Sequence, residues 1–170
     1  MLESSIKEFK KYKLLGEKTF EQLNDAEMMQ IQADHTNSVA IIVQHLAGNM
    51  LSRWTNIFAE DGEKKWRNRD TEFNSIDQSK ENIIRLWESG WQKLFQSLDS
   101  LTEVDLQKII YIRNEPHTVE EAIVRQLCHY AYHVGQIVHI AKCIKGAAWN
   151  SLSIPIGQSE AYNEGKFKRS

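Results

Sequence analysis

Cysteine is nearly missing from this 170-residue chain, which holds two, Cys128 and Cys143. Their spacing has no CxxC character, so a disulfide scaffold is excluded and a reducing compartment fits. Both read as buried apolar thiols. An excess of one charge is missing as well: 21 Lys and Arg stand against 23 Asp and Glu, a formal net charge of -2. Such a balance offers no broad positive field for a phosphate backbone, so nucleic acid is not an expected partner. No apolar run approaches the length that spans a bilayer, and no membrane association is expected. The start, Met1 to Lys7, lacks the basic, apolar and small-residue sections of a secretion signal. The expected location is the cytoplasm. There is no internal repeat, heptad pattern or low-complexity tract either.

What the chain does contain is helical periodicity. Its 19.8 kDa suit one domain, expected over residues 1–160, with a frayed tail at 161–170. From Leu2 to about Leu23 apolar residues recur at helical spacing. Asn24 to Asn37 reads as a connection with a short helical turn. A second helix, capped by Asn37 or Ser38, is expected from Val39 to about Phe58, where Asp61-Gly62 follows. Glu63 to Asn74 is a charged loop. The capping-box spacing of Ser75-Ile76-Asp77-Gln78 opens a third helix reaching about Ser100. Residues 101–114 are ambiguous: Thr102 to Asp105 suits a helical turn, and the β-branched run Lys108 to Arg113 suits a short strand or extended arm before Pro116. Thr118 to Glu121 is a second capping box, and a fourth helix runs from about Val119 to Lys145, stopped by Gly146. Four such segments predict an all-α four-helix bundle with long connections and a short extended arm before its last long helix.

The second helix is apolar over most of its circumference, yet His45, Asn49 and Arg53 form a polar line at i, i+4, i+8. Burying them unpartnered would cost on the order of 1 to 3 kcal/mol for each neutral group and more for the guanidinium. The line therefore has to end in a polar pocket, a hydrogen-bond network or solvent. On the fourth helix His129 and His133 lie one turn apart, about 40° from each other. Such a pair can share a divalent ion, and His45 is the candidate third ligand. Three neutral imidazoles suit Zn²⁺ or Ni²⁺ and leave positions open, which favours chemistry over a structural role. Gln136 continues the same stripe, and Tyr132 flanks it where it could orient water or substrate. His35 and His117 are competing ligands. His139 faces elsewhere, and Cys128, about 100° from His129, should not join the site.

These residues carry a family resemblance. The segment Asn37 to Met50 around His45, the charged stretches Asp61 to Lys64 and Arg67 to Asp70, and Glu115 to Val119 with His129 to Gln136 resemble the DinB/YfiT-like superfamily of metal-dependent four-helix proteins. Within it the chain resembles the DUF1572 group, over nearly its whole length. The resemblance implies an up-down-down-up bundle, commonly homodimeric, with His45, His129 and His133 on a divalent metal. Characterised relatives include thiol transferases using bacillithiol, mycothiol or glutathione, and a maleylpyruvate isomerase of related architecture. The expected activity is transfer of a low-molecular-weight thiol to a small electrophilic substrate. Asn49, Arg53, Tyr132 and Gln136 are the candidate catalytic residues, and Arg53, Arg67 and Arg69 the candidates to hold carboxylates of the thiol. The alternatives are a metal-dependent hydrolase, with Asp34 or Glu121 as base, and a non-catalytic, dimeric metal-binding or stress-associated protein.

Overall fold

A computed structural model describes residues 1–74 and 79–167. The chain is mostly helical, with six α-helices among the described residues: α1 (Leu2–Glu21), α2 (Asp25–Met29), α3 (Val39–Trp54), α4 (Lys80–Asp99), α5 (Val119–Lys145) and α6 (Ser159–Phe167). A two-stranded antiparallel sheet, β1 (Ile109–Ile112) with β2 (Glu115–Thr118), precedes α5. Single 3₁₀ turns occur at Asp70–Phe73, Glu103–Gln107 and Gly146–Ala148. The all-helical expectation thus omitted a hairpin. The capping box expected at 75–78 lies outside the described residues, and α4 is capped by Ser79, whose side chain accepts from the Asn82 amide.

Packing follows from the apolar faces. α3 lies against α4 and α5, and α1 lies against α5. The central place of α3 is what its composition demands, since almost no side of it is free of Val, Ile, Leu, Met or Trp. It ends at Trp54, four residues earlier than the apolar pattern suggests. Thr55 turns extended and Asn56 takes a positive φ. Ser52 then donates to the Gly62 carbonyl and accepts from the Lys64 amide, drawing the following loop back over the helix end. A buried chain of hydrogen bonds, Trp54 Nε1 to Tyr130 Oη to Asn49 Oδ1, ties α3 to α5 at 3.0 Å per step. Phe9, Trp91 and Tyr130 meet edge-on or tilted at the junction of α1, α4 and α5.

The hairpin turns through Arg113 and Asn114, both at positive φ, as a two-residue turn of primed type requires. That turn makes Ile112 and Glu115 the hydrogen-bonded pair, so Pro116 opposite Tyr111 falls where no ladder amide is needed. The Tyr111 carbonyl accordingly accepts from the Gly62 amide instead. Ile110 and Ile112 are buried while Ile109 and Tyr111 face out. One further correction concerns the cysteines. Both are free and exposed, because positions 128 and 143 fall on the outer side of α5.

Gly16 in α1 lies against the indole of Trp87, and a methyl there would meet Cη2 at 2.6 Å. Gly16→Ala gains about 1 kcal/mol of helix propensity, but Trp87 is wedged between Phe20 and Trp91 and overpacking costs about 1 to 3 kcal/mol. The expected result is a net loss, seen as a lower urea midpoint with an unchanged slope; a higher midpoint would mean that the indole moves freely.

Candidate metal centre

The polar line on α3 is buried: His45 is 4% exposed and Asn49 and Arg53 are each 5% exposed. It faces the stripe on α5 that carries His129 and His133. Nε2 of His45 lies 3.3 Å from Nε2 of His129, and one ring nitrogen from each of the three histidines lies within 4.8 Å of the others. Three imidazoles on one tetrahedral ion have nitrogens about 3.4 Å apart. One pair already meets that spacing, and the other separations are within 4.8 Å. The donor set, all nitrogen and bordered by space, could hold a divalent metal ion.

The outer nitrogens are oriented as metal ligands need. His45 Nδ1 donates to Glu72 Oε2 at 2.9 Å, and since a carboxylate only accepts, the hydrogen sits on Nδ1 and Nε2 is the atom turned toward the other histidines. His133 Nδ1 donates to Gln136 Oε1 at 2.8 Å with the same effect. Glu72 is gripped in turn by Arg67, Nε to Oε1 at 2.7 Å and Nη2 to Oε2 at 2.8 Å. Gly48, one turn after His45, makes room for this carboxylate: a methyl there would lie 2.8 Å from Glu72 Cδ and closer still to its oxygen. Phe73 covers the His45 ring at a centroid distance of 4.8 Å.

A cavity of about 400 Å³ opens over the histidines. Every expected site residue lines it: Asn49, Arg53, Arg67, Arg69, Tyr132 and Gln136, with His45, His129 and His133. Their states differ. Tyr132 is 55% exposed at the mouth, its ring 4.0 Å from that of His133. Asn49 is tethered through Oδ1 to Tyr130, and Arg67 is occupied by Glu72 and Glu63. His35, His117 and His139 lie outside the cluster among the described residues. Sequence reasoning missed Glu72, Phe73, Arg113, Arg125 and Gln126. The glycine inside an apolar helix at position 48 was the available signal, because such a glycine marks the close approach of another group.

Burial, then the neighbouring imidazoles and the guanidinium groups of Arg53 and Arg67, push the His129 pKa down to about 3. Burial and His45 push His133 down to about 4, against a small opposing effect of Gln136. Glu72 is raised by burial, but Arg67 and His45 outweigh this and hold it below the usual carboxylate range. Both histidines on α5 are therefore neutral donors at pH 7.

Two outcomes are expected. Without metal, the unfolded chain takes up protons at positions 129 and 133 below its ordinary histidine pKa of about 6.5, while the folded chain does so only near the depressed values. Stability is therefore level above that point and falls as pH drops from about 6.5, by on the order of 1 to 2 kcal/mol per histidine at pH 5. Chemical denaturation of chelated protein at pH 7 and pH 5 checks this; the His129→Asn, His133→Gln double variant should lose much of the dependence. Glu72→Gln should weaken metal binding by about 10- to 100-fold, as read by competition with a chromophoric chelator, and unaltered affinity would refute the orienting role.

No curated protein matches the sequence. Among solved structures the chain is similar to a conserved protein from Enterococcus faecalis known from a crystal structure, with a TM-score of 0.68 and 20% sequence identity, covering 86% of this chain and 98% of that one. At that identity the likeness concerns the fold alone. The histidines, the charged loop and the helices that hold them fall within residues 1–158, the span matched by the family model described as "Protein of unknown function (DUF1572)", and the chain belongs to that family.

Proposed function

We propose that the protein is a divalent-metal-dependent enzyme that transfers a low-molecular-weight thiol to an electrophile. The proposal includes a DinB-like four-helix bundle in which α1, α3, α4 and α5 run up-down-down-up, and assembly as a homodimer. The observation that carries the reading is the convergence of three imidazoles beneath a cavity whose described lining holds no carboxylate, serine, threonine or cysteine. The chain thus offers a ligand set and a pocket but no thiol or hydroxyl nucleophile of the usual kinds, so the nucleophile comes with the substrate. Hydrolysis fits less well. Asp34 and Glu121, the candidate bases, do not line the cavity, and Glu121 is held in the capping box of α5.

His45, His129 and His133 would hold the ion, Zn²⁺ or Ni²⁺ by the chemistry of three nitrogen donors. Bound there, it supplies Lewis acidity that favours the thiolate over the thiol. Gln136 and Glu72 keep the imidazoles aimed, and Arg67 acts through Glu72. Arg53 and Arg69 hold carboxylates of a thiol such as bacillithiol, Asn49 gives its free amide hydrogens to the ligand, and Tyr132 orients the electrophile at the mouth. In the reaction the thiol sulfur bonds to the electrophilic carbon, the bond from that carbon to its leaving group breaks, and the S–H proton departs with the leaving group. A purely non-catalytic metal site would have no use for the cavity.

The protein expressed in cytosol should carry about one divalent ion per chain, and His45→Ala, His129→Ala and His133→Ala should each lose it by elemental analysis. Metal retained by His45→Ala would break the triad. Consumption of bacillithiol with a haloaromatic electrophile should stop on chelation and return on adding the ion; consumption indifferent to the metal would sink the transferase reading while leaving the ligand set intact.

A further inference from the structure

Five arginines, at positions 53, 67, 69, 113 and 125, line the cavity. Among the described residues the carboxylates that pair with them are Glu72, used by Arg67 and His45, and Glu63. Three guanidinium charges are therefore in excess around the cavity. Glu63 is stretched among three partners. Its Oε2 lies 3.2 Å from Nη1 of Arg67, 3.5 Å from Nε of Arg113 and 3.8 Å from Nη2 of Arg53. Only the first is within ordinary hydrogen-bond reach, so Arg53 and Arg113 gain a countercharge from Glu63 without a short hydrogen bond to it.

Both residues are held in place at some cost. Arg53 is 5% exposed, and its Nε and Nη1 have no hydrogen-bond partner. A buried guanidinium left in that condition is strongly unfavourable, and with Nε and Nη1 closed off, Nη1 against Gly62, it is Nη2 that is left to face a ligand. Arg113 occupies φ 54° at the hairpin tip, a conformation that glycine or asparagine takes far more readily. Asp61 fixes the strained turn by accepting from the amides of Arg113 at 2.8 Å and Asn114 at 2.7 Å. A backbone outlier held by a carboxylate that also takes the Glu63 amide at 2.7 Å, with its side chain on the wall of the cavity, points to a use for that side chain.

We infer that the arginine wall is a subsite for a small ligand carrying at least two negative charges, polycarboxylate or phosphate, with Arg53 at its floor and Arg113 at its rim. The inference rests on reading the cavity as a substrate pocket and deepens it by naming the charge class of the substrate. It requires no metal. Guanidinium groups match both carboxylate and phosphate oxygens in paired hydrogen bonds, and multiple charges are needed to answer the excess. Asp61 is a positioning residue, acting on the ligand through the turn.

Isothermal titration calorimetry of the chelated full-length protein at low, fixed ionic strength tests this with citrate, inorganic phosphate and acetate. Citrate or phosphate should bind once per chain, the preferred one identifying the anion, and acetate should bind far more weakly. Arg113→Gly should lower the affinity about tenfold while raising the melting temperature, because the turn loses its strain. Arg53→Gln should abolish binding; should that variant fail to fold, Arg113→Gly decides. Arg85→Ala, remote from the cavity, should leave affinity unchanged. Binding of neither polyanion, acetate as tight as citrate, or full affinity in Arg113→Gly would overturn the proposal. Such a result beside intact metal content separates its failure from that of the metal centre.

Discussion

Burial of His45, Asn49 and Arg53 on α3 is the constraint from which the rest of the site follows. A helix that is otherwise apolar can sit at the centre of the fold only if its polar line is answered from outside. Each member is answered differently. Asn49 is taken into the Tyr130 and Trp54 chain, which also fastens α3 to α5. His45 faces two imidazoles on one side and Glu72 on the other. Arg53 is the least satisfied, with one long ion pair and two unpartnered nitrogens. The degree of satisfaction falls along the helix from tightly bonded to incomplete, and the incomplete end lies on the cavity wall.

Glu72 shows how a surface-looking loop becomes part of a core. Its carboxylate sits where α3 has no side chain, at Gly48, and it receives two hydrogen bonds from Arg67 and one from His45. A glycine within a helix costs about 1 kcal/mol relative to alanine. A carboxylate left unpaired at that depth would cost several. The magnitudes favour keeping the glycine and filling its gap with a charge that has three good donors. The same three bonds fix the tautomer of His45, so the packing of the loop and the readiness of the imidazole are one arrangement.

The histidines were legible in sequence for a physical reason: period and contrast. His129 and His133 share a face by helical geometry alone, and His45 stands out because its neighbours on α3 are apolar. The helical segments were legible by the same periodicity, with Ser38 and the capping box at Thr118 marking the starts of α3 and α5. Glu63 and Glu72, and the pairing of Arg67 with them, carried no such contrast, because a run of mixed charges looks alike whether it is solvated or folded inward. Arg113 was hidden for another reason. Its role depends on a hairpin whose second strand begins Glu-Pro-His, a poor strand signal, and on Asp61 more than fifty residues away. The exposed cysteines misled through composition: they lie in an apolar-rich helix, but on its outer side.

The cationic wall and the histidine cluster act on each other. Arg53 and Arg67 help to keep His129 unprotonated, which protects it as a donor against competing protons. The same positive charges oppose entry of a divalent cation, since Coulomb repulsion across a partly buried cavity is weakly screened. A polyanion on Arg53 and Arg113 would cancel that opposition. By linkage, the ion would then strengthen binding of the anion by the same factor that the anion strengthens binding of the ion. An overall charge of -2 conceals this arrangement completely, because the charges that matter are sorted in space, with arginines lining the cavity and their carboxylates set behind them.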